Sequence, residues 1–108
     1  MHQADREELS LEACGALLSE REYQEKLWNS TESGGKHSVT EFLVYISHYV
    51  RKALDLQSTI PADQADEESL HSVRKIGALV LACMEQNGIR YRDIEADLKT
   101  AKERHKIK

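Results

Sequence analysis

The 108-residue chain predicts an all-α fold, a compact bundle of three main helices plus a short peripheral C-terminal helix. Three observations carry this. Leu70, Val73, Gly77, Val80 and Met84 recur at spacings of three and four, the period of one helical face. Ser38-Val-Thr-Glu41 has the S-x-x-E spacing with which a hydroxyl and a carboxylate satisfy the free amides of a helix start. With one proline, five glycines and 31% charged residues, the composition is that of a helical protein, and strand signals are nearly absent.

The stretch from Leu70 to Asn87 is the element on which the others should pack. Its run Ile76 to Met84 has no charged residue, and Ile76, Leu81 and Cys83 flank the face just named. Ala78, Leu79 and Ala82 widen the apolar surface until only Glu67, Arg74, Lys75, Glu85 and Gln86 mark a wet side. Such a helix needs at least two partners in the core, with Val80 near its middle. Gly77 admits a close neighbour and Gly88 supplies the residue that ends the helix.

The first helix should run from about Ala4 to Asn29, with Leu9, Ala13, Ala16, Leu17, Tyr23, Leu27 and Trp28 on its apolar side. Gly15 interrupts it, so residues 1–15 are either continuous with the helix or a separate N-terminal arm. Residues 29–37 read as a loop. The second helix starts at Ser38 and buries Phe42, Leu43, Ile46, Tyr49, Val50, Ala53 and Leu54, with Glu41, Tyr45, His48 and Lys52 on the opposite face. A loop ends at Pro61, and Asp63, Asp66, Glu67 and Glu68 suit the positive end of the third helix. After Gly88 a thin line of Ile94, Leu98 and Ala101 marks the fourth helix, which should fray into a basic tail at about residues 100–108.

Residues 1–108 are expected to form one domain. A net charge of -4 argues against nucleic acid as a partner. No apolar run approaches the roughly 18 residues of a membrane span, and the polar start Met-His-Gln-Ala-Asp-Arg has no signal-peptide core, so a cytoplasmic protein is expected. Cys14 and Cys83 lie among apolar residues and outside any metal-binding spacing, as reduced, buried cysteines do. The apolar surplus of the third helix, with two long helices to cover it, predicts a homodimer or higher homo-oligomer.

Glu20 and Gln24 fall inside the apolar stripe of the first helix and should point inward. A buried carboxylate has to be paired, protonated or bound to a cation. Either Glu20 is a site residue, or it sits at the interface edge paired with Arg or Lys. On the second helix Glu41 and His48 share one side two turns apart, a spacing open to a ligand stripe or to a solvated face.

Three segments, Glu20-Arg21-x-x-Gln24-x-x-x-Trp28, His37-Ser-Val-x-Glu-Phe42 and Leu70-His-x-x-Arg-Lys-Ile-x-Ala-Leu79 followed by Cys-Met-Glu85-x-x-Gly88, together resemble small phage and prophage proteins at the edge of the MazG-like all-α nucleoside triphosphate pyrophosphatases. The resemblance spans about Ser19 to Arg92. It implies an E-x-x-E motif on one helix and an E-x-x-D motif on another, which in those enzymes bind magnesium and hold the triphosphate for attack by water. This chain has Glu41-Phe-Leu-Val44 and Glu67-Glu-Ser-Leu70 instead, and Leu27-Trp28-Asn29 where phage-type relatives tend to have Lys-Trp-Gly.

Two functions follow. One is a non-catalytic helical interaction protein of phage or prophage origin with a MazG-like core, binding a protein partner. The other is a magnesium-dependent nucleoside triphosphate pyrophosphatase, or a nucleotide-binding relative, with Glu20 and Gln24 as catalytic candidates and Glu20, Glu41, His48 and Glu67 as metal candidates. Helical spacing turns Glu41 and Glu67 away from their apolar faces, which favours the first function and a Glu20 paired with a cationic neighbour.

Overall fold

A computed structural model describes residues 2–29 and 36–107 of the chain. Four helices form, α1 (Gln3–Asn29), α2 (Val39–Thr59), α3 (Ala62–Asn87) and α4 (Ile94–Ile107), and the described residues contain no strand. The protein is an all-α bundle of three main helices with a short C-terminal one.

Local chemistry sets most of the boundaries. At the start of α2 the Ser38 hydroxyl accepts from the Glu41 amide at 3.2 Å and the Glu41 carboxylate accepts from the Ser38 amide at 3.1 Å, the reciprocal cap that the spacing predicts. Gly88 ends α3 with φ 129°, a conformation that side-chain-bearing residues rarely adopt. α1 runs through Gly15 without a break. The C-terminal residues expected as a fraying tail are helical to Ile107. Asp93 fixes where this helix starts, because its carboxylate accepts from the Ala96 amide at 3.2 Å, and Glu95 and Asp97 place further negative charge in the first turn.

α3 is central, with α1 and α2 packed on it and α1 and α2 not closely packed on each other. α2 and α3 run antiparallel from the turn at Ile60 and Pro61, joined by Gln57, whose amide donates to Asp66 at 3.0 Å and to Ser69 at 3.1 Å. Phe42, Leu79 and Ala82 form the core, with Trp28, Ile46, Tyr49 and Cys83 packed around them. α1 approaches α3 at Gly77, where a methyl group would collide with Leu17.

The rotation of α3 differs from the one its hydropathy predicts. Its buried residues are Ala65, Ser72, Ala78, Leu79 and Ala82, whereas Leu70 is 64%, Val73 55%, Val80 37% and Met84 41% exposed. Small residues explain the choice. Neighbouring helices come closest where side chains are short, and the large residues are left outside. The residues read as a wet side serve as crosslinks, since Arg74 reaches Glu20 and Glu85 reaches Arg21, both on α1. Leu9, Tyr23 and Leu27 on α1 and Leu43, Val50 and Leu54 on α2 are likewise exposed, as is Cys14, all of them expected inside. Phe42 is the only large side chain fully buried among the described residues. The Cα radius of gyration of 17.4 Å exceeds the ~13 Å of a compact chain this long, because the first half of α1 and all of α4 extend beyond the bundle.

Two glycines test these assignments. Nothing lies within 4 Å of a methyl group added at Gly15, so Gly15→Ala should raise stability by about 1 kcal/mol in urea unfolding, as helix propensity dictates. Gly88→Ala should lower it by roughly 1–2 kcal/mol, since the added methyl is strained at that backbone angle.

Candidate functional site

The C-terminal half of α1, the entry to α2 and the middle of α3 enclose a cleft of about 610 Å³. α1 contributes Glu20, Tyr23, Gln24, Leu27 and Trp28, which recur at helical spacing on its inner side. His37 stands before α2, Tyr45 and Tyr49 project from α2, and Lys75 and Leu79 from α3 complete the wall.

The aromatic part is rigidly held. His37 is fixed through its backbone, whose amide donates to Gln86 Oε1 at 2.8 Å and whose carbonyl accepts from Asn87 Nδ2 at 3.2 Å. Its ring then stands edge-on to Trp28, Phe42 and Tyr45, with centroids 5.4, 5.6 and 5.2 Å away, a favoured geometry for aromatic pairs. The Arg21 guanidinium lies 5.6 Å from the Trp28 ring centre. Burial alone would push the Arg21 pKa down, but hydrogen bonds to Glu85 and Glu25 outweigh it and hold the group above its ordinary value.

Three polar side chains of the cleft matter for its chemistry. Glu20 is buried and accepts from Arg74 Nε at 2.7 Å, and Arg74 in turn lies 2.9 Å from His71 Nδ1. Gln24 is only 8% exposed and its Oε1 has no hydrogen-bond donor among the described residues. The Lys75 ammonium stands 5.5 Å from the Tyr49 ring centre, with no carboxylate within ion-pair reach among the described residues.

Of the residues singled out from sequence, Glu20 and Gln24 do point inward and share this cleft. The other metal candidates lie elsewhere. Glu41 is exposed at the head of α2, where the Ser38 amide and then the His37 ring hold its carboxyl below the ordinary value. His48 is exposed beside Tyr49, and Glu67 is exposed near the start of α3. Among the described residues no three His, Cys, Asp or Glu side chains stand close enough to share a metal ion. Tyr45 and Lys75, assigned by spacing to outer faces, instead line the cleft. The clue to Lys75 is the rotation of α3, which its small residues carry and its large ones conceal, whereas Tyr45 follows from α2 facing α3 with Phe42, Ile46 and Tyr49. Comparison with protein-family models, with curated proteins and with solved structures finds no match to the chain.

Removing Arg74 would leave the Glu20 carboxylate buried without a cation, so Arg74→Ala should cost roughly 2 kcal/mol in chemical denaturation, while Glu20→Gln, which keeps a hydrogen-bond acceptor, should cost less than about 1 kcal/mol. The cap of α2 should also be acid-sensitive. The Glu41 pKa is lowered in the fold, so its contribution is present above the ordinary value of 4.5 and is lost as the pH falls through the folded value. Glu41→Gln should accordingly flatten the loss of thermal stability on acidification below about pH 4.5.

Proposed function

We propose that the chain is a non-catalytic helical interaction protein that works as a homodimer or higher homo-oligomer, with the outward face of α3 as its contact surface and a second copy of the chain as the partner. The observation that carries this reading is the exposed stripe Leu70, Val73, Val80 and Met84, whose spacings of three, seven and four residues fit the heptad of a seam between two helices, the skipped position being Gly77, on which Leu17 of α1 packs. Leu43, Val50 and Leu54 on α2 are exposed at the same period, which widens the surface. An exposed apolar area of this extent is costly in water, and a two-fold axis would cover both copies at once. The unpaired thiols of Cys14 and Cys83 suit a cytoplasmic setting, and the net charge of -4 disfavours nucleic acid as partner.

A phage or prophage origin with a MazG-like core belongs to the same proposal. It is supported by the gathering of Glu20, Gln24, Trp28, His37 and Leu79, drawn from all three resembling segments, around one cleft. That gathering also favours a second reading, a nucleotide-binding relative or a magnesium-dependent nucleoside triphosphate pyrophosphatase. The dispersal of Glu41, His48 and Glu67 away from Glu20 weighs against its catalytic form, because magnesium requires several oxygens converging on one point.

Light scattering separates the contributions of neighbouring residues. The wild type should have the mass of a dimer or larger at micromolar concentration. Val80→Asp should be monomeric with its helix content retained, because Val80 lies on the stripe, whereas Leu79→Asp should unfold the domain, because Leu79 is 4% exposed beneath Phe42. A monomeric wild type would overturn the reading. Pyrophosphate release with magnesium or manganese, tested over the common nucleotides, should be absent, and turnover abolished by Glu20→Gln would establish the enzyme instead.

A further inference from the structure

Helical spacing turns Lys75 and Leu79 to the side of α3 opposite Val73 and Val80, so the cleft and the proposed self-association face are separate surfaces. Its volume of about 610 Å³ is in the range of small-molecule sites, roughly 300–1,000 Å³. Three features define what would complement it. The wall is rich in aromatic side chains, with Tyr23, Trp28, Tyr45 and Tyr49 offering ring faces and edges to a flat ligand. Gln24, more than nine-tenths buried, has a carbonyl oxygen with no donor among the described residues, and a buried acceptor left unmet is destabilising unless something supplies the bond. Lys75 brings a positive charge that no described carboxylate neutralises, whereas Glu20, the anion in the wall, is already engaged by Arg74. A cationic ligand is disfavoured by this arrangement. Lys75 would repel it, and Lys75 and Arg21 already stand over the rings of Tyr49 and Trp28 that would otherwise attract it.

We propose that this cleft binds a small planar aromatic anion, its ring against Trp28 and the tyrosines, its acidic substituent on Lys75 and a ring N–H or O–H donated to Gln24. The Gln24 oxygen is itself enclosed, so this donation requires the amide to turn over about its last side-chain bond. The anion is either a carboxylate or a phosphate, so the ligand class spans hydroxylated aromatic acids and nucleoside monophosphates.

Trp28 is the only tryptophan, so its emission reports on the cleft itself. Titrations of the full chain with 4-hydroxybenzoate and with uridine monophosphate, followed by Trp28 fluorescence and by calorimetry, are compared with butyrate and inorganic phosphate as non-aromatic controls. Saturable binding of the first probe assigns an aromatic carboxylate site, and of the second a nucleotide site. In either arm Lys75→Met, which keeps the side-chain stem, should weaken binding at least tenfold. Gln24→Leu should also weaken it while retaining the wild-type circular dichroism spectrum. The proposal fails if neither aromatic probe saturates by about 10 mM, if the aliphatic controls bind as well, or if Lys75→Met binds like the wild type. Light scattering of the same samples reads the self-association separately, so either idea can fall without the other.

Discussion

A single helix here has more apolar surface than its own chain can cover, and the arrangement of α3 follows from that constraint. Only one face can receive α2 at short distance, and Ala65, Ser72 and Ala82, with Leu79, provide it by being mostly small. Phe42 then seats fully against Leu79 and Ala82, which fixes where α2 lies and brings Tyr45 and Tyr49 to one edge of the interface. α1 approaches from another direction, where Gly77 leaves room for Leu17. Two helices held apart by a third leave a space between them, and the cleft is that space.

The polar contacts of α1 complete this arrangement. Glu20 with Arg74 and Arg21 with Glu85 sit one residue apart on α1 and eleven apart on α3, so together they set both the rotation and the longitudinal register of the two helices. Exposed ion pairs of this kind add little to stability, but Glu20 is nearly enclosed, and an enclosed carboxylate tolerates few alternative registers. Such a pair specifies the packing more than it strengthens it.

The sequence was informative where a signal is local. The capping box at Ser38 and the terminating Gly88 appear where their residue types require, and the inward direction of Glu20 and Gln24 follows from their position in a stripe. It misled where the outcome depends on which of two apolar faces is covered. Leu70, Val73, Val80 and Met84 carry the stronger hydropathy signal, yet packing rewards close approach as well as apolar area, and the alanine face wins. That rotation turns Arg74 and Lys75 towards α1 and the cleft instead of water, while Tyr45 reaches the cleft through the orientation of α2, which faces α3 with Phe42, Ile46 and Tyr49.

α4 packs on no other helix among the described residues and is only 14 residues long. A helix of that length is marginal in water by itself, so its hydrogen bonds open and close without reference to the bundle. Its backbone amides should therefore exchange with solvent orders of magnitude faster than those beneath Phe42. Any surface that receives Ile94 and Leu98 would slow that exchange in proportion to how firmly it holds them, which makes the exchange rate of this segment a gauge of docking.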